Sequence, residues 1–197
     1  MTANTPYLIA GLGNPGLAYR QNRHNVGFMV VDCLAETAHI PIRRVEHRAL
    51  IGKGEFADVP VYLAKPQTFM NDSGAAVGAL ASFYKLPLDH LLVVHDDLDL
   101  PFGTLRLRPS GGTGGQKGME SIVVRLGTRD FPRLRVGIGR PPGRMDPRDY
   151  VLHDFDPPEQ DILPEVLAKA VDAIRWFICE GIEAAMNEFN GSVIDED

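Results

Sequence analysis

The chain has 197 residues, 44% hydrophobic and 23% charged, which is enough apolar material for one full core and too much for a disordered chain. A net charge of −6 argues against a nucleic-acid partner until its distribution is considered: residues 1–100 carry 8 basic and 10 acidic side chains, residues 101–148 carry 10 and 3, and residues 149–197 carry 2 and 13. One basic segment on an acidic protein predicts a basic face, although Arg-rich strands that are merely solvated give the same count.

In chain order, residues 7–12 form a short apolar run that reads as a buried strand, and Gly13-Asn14-Pro15-Gly16 reads as a turn. From residue 24 to 38, Val26, Val30, Val31, Leu34 and Ala35 recur at helical spacing. Residues 49–56 and 59–64 read as two strands, joined as a hairpin through Ala57 and Asp58. Asp72 and Ser73 are N-cap candidates for an Ala-rich helix toward Tyr84. Residues 91–94 are a buried strand with acidic residues at its end, and residues 105–108 alternate as a half-exposed strand should. A glycine-rich loop leads into a helix over 118–126, and residues 134–138 form another strand. Residues 146–158, rich in Asp and Pro, read as a loop. Residues 162–189 form one long amphipathic helical stretch with Gly191 just past its end, and residues 195–197 read as a disordered tail.

Strands and helices alternate, with one hairpin among them. This predicts a single α/β domain over 1–197, with a mixed, mostly parallel sheet and helices on both faces. No apolar run is long enough to cross a bilayer, and residues 1–6 lack a basic n-region, so neither a membrane span nor a signal peptide is expected. Cys33 and Cys179 lie in apolar helical patterns and are expected to be buried free thiols, which suits a reducing cytoplasm.

Gly11, Gly13 and Gly16 satisfy GxGxxG behind a strand, the mark of a dinucleotide site. In such a site the glycines open the helix directly, so that its N-terminus meets the pyrophosphate. Here Pro15-Gly16 turns the chain and the helical pattern starts only at His24, which excludes that reading. A P-loop fails because Lys117 is followed by Gly118, not Ser or Thr. His95-Asp96-Asp97-Leu98-Asp99 is the densest run of metal-ligand types, but strand alternation sends neighbours to opposite faces and no HExxH-like partner exists, so no metal is expected. Nor is there a GxSxG elbow for a covalent nucleophile. His24 and Asp96 remain. A carboxylate bonded to one imidazole nitrogen fixes the tautomer and raises the basicity of the other, so the pair can deprotonate a water. A lone histidine is more often structural, and the residues by themselves leave that reading open.

Four blocks resemble the bacterial-type peptidyl-tRNA hydrolases. They are Gly11-Leu12-Gly13-Asn14-Pro15-Gly16 with Tyr19 and Arg23-His24-Asn25-Val26-Gly27-Phe28, then Lys65-Pro66-Gln67-Thr68-Phe69-Met70-Asn71-Asp72-Ser73-Gly74. His95-Asp96-Asp97-Leu98-Asp99-Leu100-Pro101 and Arg133-Leu134-Arg135-Val136-Gly137-Ile138-Gly139-Arg140-Pro141 follow in order, so the match runs over residues 7–190. The resemblance implies a cytoplasmic monomer without metal or cofactor that hydrolyses the ester between a peptide and the 3′-terminal ribose of tRNA, freeing the tRNA for translation. It implies His24 as the base that activates water, Asp96 as its orienting partner, and Asn14 and Asn71 as amides that hold the peptide and the water. Tyr19 joins that substrate-binding set, Lys117 is assigned to it on its own charge, and Arg106, Arg108 and Arg135 match positions on the tRNA side.

One block departs. In Gly111-Gly112-Thr113-Gly114-Gly115-Gln116-Lys117-Gly118-Met119, most members carry histidines at the positions of Thr113 and Gln116 and a functional asparagine at that of Lys117. That asparagine's role does not pass to Lys117 by resemblance. A lysine there offers a point charge to a phosphate near the 3′ end, and a cation close to His24 is expected to lower its pKa. The plain alternative is an ammonium pointing to water from a tolerant loop. Relatives of this fold also serve plant organelles as RNA-splicing cofactors. A binding module of that kind would keep the basic strip without needing His24 and Asp96, so the joint presence of Asn14, His24, Asn71 and Asp96 favours the enzyme.

Overall fold

β1 (Tyr7–Gly11) is buried at every position past its first, the pattern of a strand covered on both faces. It is the centre of the sheet in the computed structural model, which describes residues 5–194. β3 (Ala49–Phe56) and β4 (Val59–Pro66) form the expected hairpin, paired from Ala49↔Pro66 to Phe56↔Val59. Ala57 and Asp58 both take positive φ, 52° and 61°, as the two central residues of a type I′ turn must.

β4 pairs parallel with β1, β1 with β5 (Leu91–Asp97), and β5 with β7 (Arg133–Gly137). The outer pairs are antiparallel: β2 (Arg44–Glu46) on β3, β6 (Thr104–Arg108) on β7, and β8 (Gly191–Ser192) on β6. The order is β2-β3-β4-β1-β5-β7-β6-β8. The sheet is mixed, as expected, but not mostly parallel: among the described residues three pairs are parallel and gathered at the buried centre, while four antiparallel pairs extend both flanks, because the outer strands are added by direct antiparallel pairing rather than by helical crossovers.

Alternation along β5 divides the core. Leu92 and Val94 join Ile9, Leu105, Leu134 and Val136 under α1 (Val26–Thr37), α5 (Pro157–Glu180) and α6 (Ile182–Phe189). Leu91 and Val93 join Leu8 and Ala10 under α2 (Ser73–Phe83) and α3 (Lys117–Leu126). Each leucine, isoleucine or valine among them that is fully removed from water contributes about 1.5–3 kcal/mol before conformational entropy is charged against it.

Several expectations need correction. The helical stretch 162–189 is two helices: α5 begins earlier, where Asp156 and Glu159 form a capping box, and is broken from α6 at Gly181. Residues 146–158 are not all loop, because α4 (Pro147–Val151) starts where Asp146 Oδ1 accepts the Arg148 N–H at 2.8 Å. Asp72 stands at the N-cap position of α2, as expected, but its side chain makes no capping bond, and Ser73 is already the first residue of the helix. A 3-10 turn over Met70–Asp72 runs straight into the helix, Asp72 pairs with Arg48 at 3.2 Å, and Ser73 Oγ donates to the Met70 carbonyl at 2.8 Å. Cys33 is half-buried and Cys179 exposed, both free, because helical periodicity names a face but not how far that face is covered. The tail at 195–197 lies outside the described residues.

Candidate active site

The chain leaves β1, β4 and β5 on one side of the sheet. β1 lies between the other two, and α1 and α2, which follow β1 and β4, cover opposite faces, so a crevice opens at the carboxyl ends of the strands. Gly11 and Gly13 of the GxGxxG run serve packing: a Cβ at Gly11 would overlap the Gly27 carbonyl, so Gly11 lets α1 seat directly on β1.

Asn14 and Asn25 close a ring behind the crevice. The Asn14 N–H donates to Asn25 Oδ1 at 2.9 Å, and Asn25 Nδ2 donates back to the Asn14 carbonyl at 2.9 Å. Asn14 Oδ1 accepts the Met70 N–H at 2.8 Å, which leaves its amide Nδ2 for a ligand. Asn25 belongs to the 3-10 turn Arg23–Asn25, which presents His24. There the His24 Nδ1–H donates to Asp96 Oδ2 at 2.7 Å, leaving Nε2 as the free ring nitrogen. Asp96 is 3% exposed, and its other oxygen accepts from Gln116 Nε2 at 3.0 Å.

Burial works against the charged form of His24, but the Asp96 charge and its hydrogen bond outweigh it, and the imidazole titrates above its ordinary value. Burial pushes Asp96 upward in the same way. The His24 charge and hydrogen bond, with help from Gln116 and His95, bring the carboxyl below the usual range. His95 faces elsewhere: its Nδ1–H donates to the Asp96 carbonyl at 2.7 Å, and burial pushes its pKa down. Among the described residues no three His, Cys, Asp or Glu side chains converge as a metal would require.

The crevice is a cavity of about 520 Å³ that brings Asn14, His24, Asn71, Asp96 and Lys117 together. Phe69, Leu98, Val151 and Leu152 supply an apolar wall. Tyr19 is not among its lining residues but meets Phe69 edge-on, ring centroids 6.5 Å apart. Lys117, the first residue of α3, runs along its helix to Glu120 at 2.9 Å, the pair 60% and 41% exposed. The expected lowering of the His24 pKa by Lys117 is not found; burial and Asp96 are what act on that imidazole.

The basic strip adjoins this cavity. Arg106 stands directly across from Arg135, and Arg108 from Arg133, on the face opposite Leu105 and Leu107. Arg135 Nε donates to Asp97 Oδ2 at 2.6 Å, and Asp97 lines the cavity. Arg133 differs from its neighbours and was not singled out by the sequence. It is buried, and its guanidinium donates to the carbonyls of Gly111, Gly112, Phe131 and Arg129, which anchors the glycine-rich loop. Burial, then the charges of Arg135 and Arg129, pull its pKa down to about 10.

Arg23 is a second anchor that the sequence did not disclose. It is 2% exposed, donates to the Asp154 carbonyl at 2.6 Å and to Glu159 at 2.7 Å, and lies over the Tyr150 ring at 4.3 Å. Asn22 Nδ2 adds a bond to Asp154 Oδ1 at 2.7 Å. The residue pair just before His24 thus ties down the segment that carries the apolar wall. The only trace of this in the sequence is the acidic cluster at 154–159.

A model of the peptidyl-tRNA hydrolase family matches residues 8–197. The chain is 54% identical over 186 residues to a chloroplastic peptidyl-tRNA hydrolase of Arabidopsis thaliana, covering 94% of this chain and 65% of that one, so it spans just under two thirds of that relative's length. It is 50% identical over 189 residues to a peptidyl-tRNA hydrolase of Frankia casuarinae, covering 96% of each. A chloroplastic group IIB intron splicing facilitator of Arabidopsis thaliana is 46% identical over 94% of this chain and 78% of its own length. The crystal structure of peptidyl-tRNA hydrolase from Acinetobacter baumannii superposes with a TM-score of 0.90 at 33% identity, over 98% of this chain and 100% of that one.

Proposed function

The chain belongs to the peptidyl-tRNA hydrolase family, and we propose that it hydrolyses peptidyl-tRNA with a water activated by His24, without a covalent intermediate. The observation that carries this reading is the His24 Nδ1–Asp96 Oδ2 bond of 2.7 Å at a cavity lined also by Asn14 and Asn71. His24 Nε2 takes a proton from the water, and the water oxygen attacks the ester carbonyl. Negative charge builds on the carbonyl oxygen, where the Asn71 amide and backbone N–H groups are the donors. Collapse expels the ribose 3′-oxygen, which takes the proton back from the imidazolium, while Asp96 stabilises that imidazolium throughout.

Asn14 Nδ2 and Asn71 hold the peptide portion, and Tyr19 supports the wall through Phe69. A site that hydrogen-bonds a peptide unit rejects a free ammonium in its place, which separates peptidyl from aminoacyl esters. Arg106, Arg108 and Arg135 take acceptor-end phosphates, and Lys117 takes one near the 3′ end. Two free thiols suit a reducing compartment, and the protein acts in the cytoplasm as a monomer.

The test is turnover of N-acylated aminoacyl-tRNA. His24→Ala is expected to lose roughly 10²–10⁴ in rate, the usual range for a general base, with tRNA binding as in the parent, and the parent's own turnover is expected to be unchanged by EDTA. Near-parent turnover by His24→Ala would overturn the assignment. The splicing facilitator among the relatives marks the other reading, RNA binding without turnover, and a parent protein inert in this assay would favour it.

A further inference from the structure

We propose that Gln116 is a positioning residue for hydrolysis: it holds the second oxygen of Asp96 and so sets both the carboxylate's orientation and the strength of its hold on His24. This rests on the His24–Asp96 reading above. Gln116 is the N-cap of α3, where its Oε1 accepts the Met119 N–H at 2.7 Å. A backbone N–H can only donate, so Oε1 must face the helix and Nε2 must face away from it. The helix therefore decides which end of the amide meets Asp96. Nε2 donates to Asp96 Oδ1 at 3.0 Å, while Oδ2 belongs to His24. With both oxygens bonded, the carboxylate cannot rotate away from the imidazole.

The same amide reaches the substrate side. Nε2 lies 3.1 Å from Met70 Sδ, and the Met70 N–H is the donor that fixes Asn14. No slack exists around it: a Cβ at Gly118 would lie 2.6 Å from Met70 Sδ and 3.0 Å from Gln116 Oε1. One side chain thus joins the start of α3, the dyad and Asn14.

An N–H pointed at Oδ1 draws negative charge away from the carboxylate and competes with His24 for it. Without that donor Asp96 is a stronger partner for the imidazolium, and His24 holds its proton to higher pH. The other charged groups around the pair are engaged elsewhere or face the cavity. His95 bonds the Asp96 backbone, Asp97 of β5 bonds Arg135 of β7, and Lys117 of α3 bonds Glu120. Arg23 is turned to Glu159 and Asp156, and Arg148 of α4 lines the cavity wall. Among the described residues only His24 and Gln116 donate to the Asp96 side chain.

The experiment measures kcat and KM against pH for the full chain on N-acylated aminoacyl-tRNA. Gln116→Leu is expected to lose roughly ten- to a hundredfold in kcat, the range seen when the hydrogen-bond partner that orients a metal-ligating side chain is removed. KM changes little, and the acidic limb of kcat/KM moves to higher pH. Gln116→Glu keeps the acceptor for Met119 but sets a carboxylate against Asp96. Its helix cap survives, yet its rate falls and its acidic limb rises at least as far, so it carries the test if the leucine variant fails to fold. Gln116→His restores an N–H donor and recovers most of the rate. Leucine or glutamate variants with parent kcat and an unmoved acidic limb would reduce Gln116 to a helix cap and overturn the proposal. His24→Ala is run beside them. If it also turns over like the parent, the dyad reading has failed; if it is inert while the Gln116 variants match the parent, only the present inference falls.

Discussion

The floor of the crevice and the arginine strip beside it share the central strands and differ in what holds their side chains. On the floor, Asn14 and Asn25 bond each other, and the buried Asp96 bonds both His24 and Gln116, at distances of 2.7–3.0 Å. On the strip, Arg106 and Arg108 are half-buried and form no ion pair among the described residues. Arg135 stands between the two, bonded to Asp97 at the cavity edge. The floor acts by geometry and must fail when one atom is wrong. The strip acts by charge, so it must respond to salt and tolerate small displacement.

The hardest test of the floor is Asp96→Asn, which keeps shape and removes charge. A loss of about 10³–10⁴ in kcat is expected, because an amide cannot stabilise the imidazolium. The pH profile supplies the sign. His24 works as a base only when neutral, so parent activity falls as pH drops through a His24 pKa that Asp96 holds above its ordinary value. With that charge gone, burial is left to act, and the acidic limb should move to lower pH. A limb that stays in place would mean that the kinetic base is another group.

The strip gives a smaller and different effect. Arg106→Ala with Arg108→Ala should weaken tRNA binding and flatten its log-salt slope by about two, roughly one per phosphate lost. Cleavage of a short acylated 3′ fragment should hardly change. Equal losses on both substrates would move these arginines from the strip to the floor.

Lys117 sits where the two regions meet and sharpens the contrast most finely. Its pair with Glu120 is exposed, so removing it should cost well under about 1 kcal/mol of stability. Lys117→Asn should leave the acidic limb unmoved, since Lys117 does not act on His24. If it meets a phosphate, the salt slope of binding should fall by about one. An unchanged slope would make it a bystander on the loop.

Local chemistry was enough to read β1, the Ala57-Asp58 hairpin, the alternation of β6 and the four blocks, because burial period, turn residues and short motifs are written in neighbouring positions. It misjudged what neighbours do not decide. α4, β2 and β8 are too short to show a period. β8 is held by edge pairing with β6, next to the bond in which the Leu107 N–H donates to Asn190 Oδ1 at 2.6 Å. The same holds for the site. His24 and Asp96 could be named as candidates, but they are 72 residues apart, Gln116 is 20 from Asp96, and Arg23 is 136 from Glu159. Which oxygen meets which nitrogen across those separations is set by how α1, α3 and α5 dock on the sheet. A single sequence carries no signal for a bond whose two ends meet only after the core between them has formed.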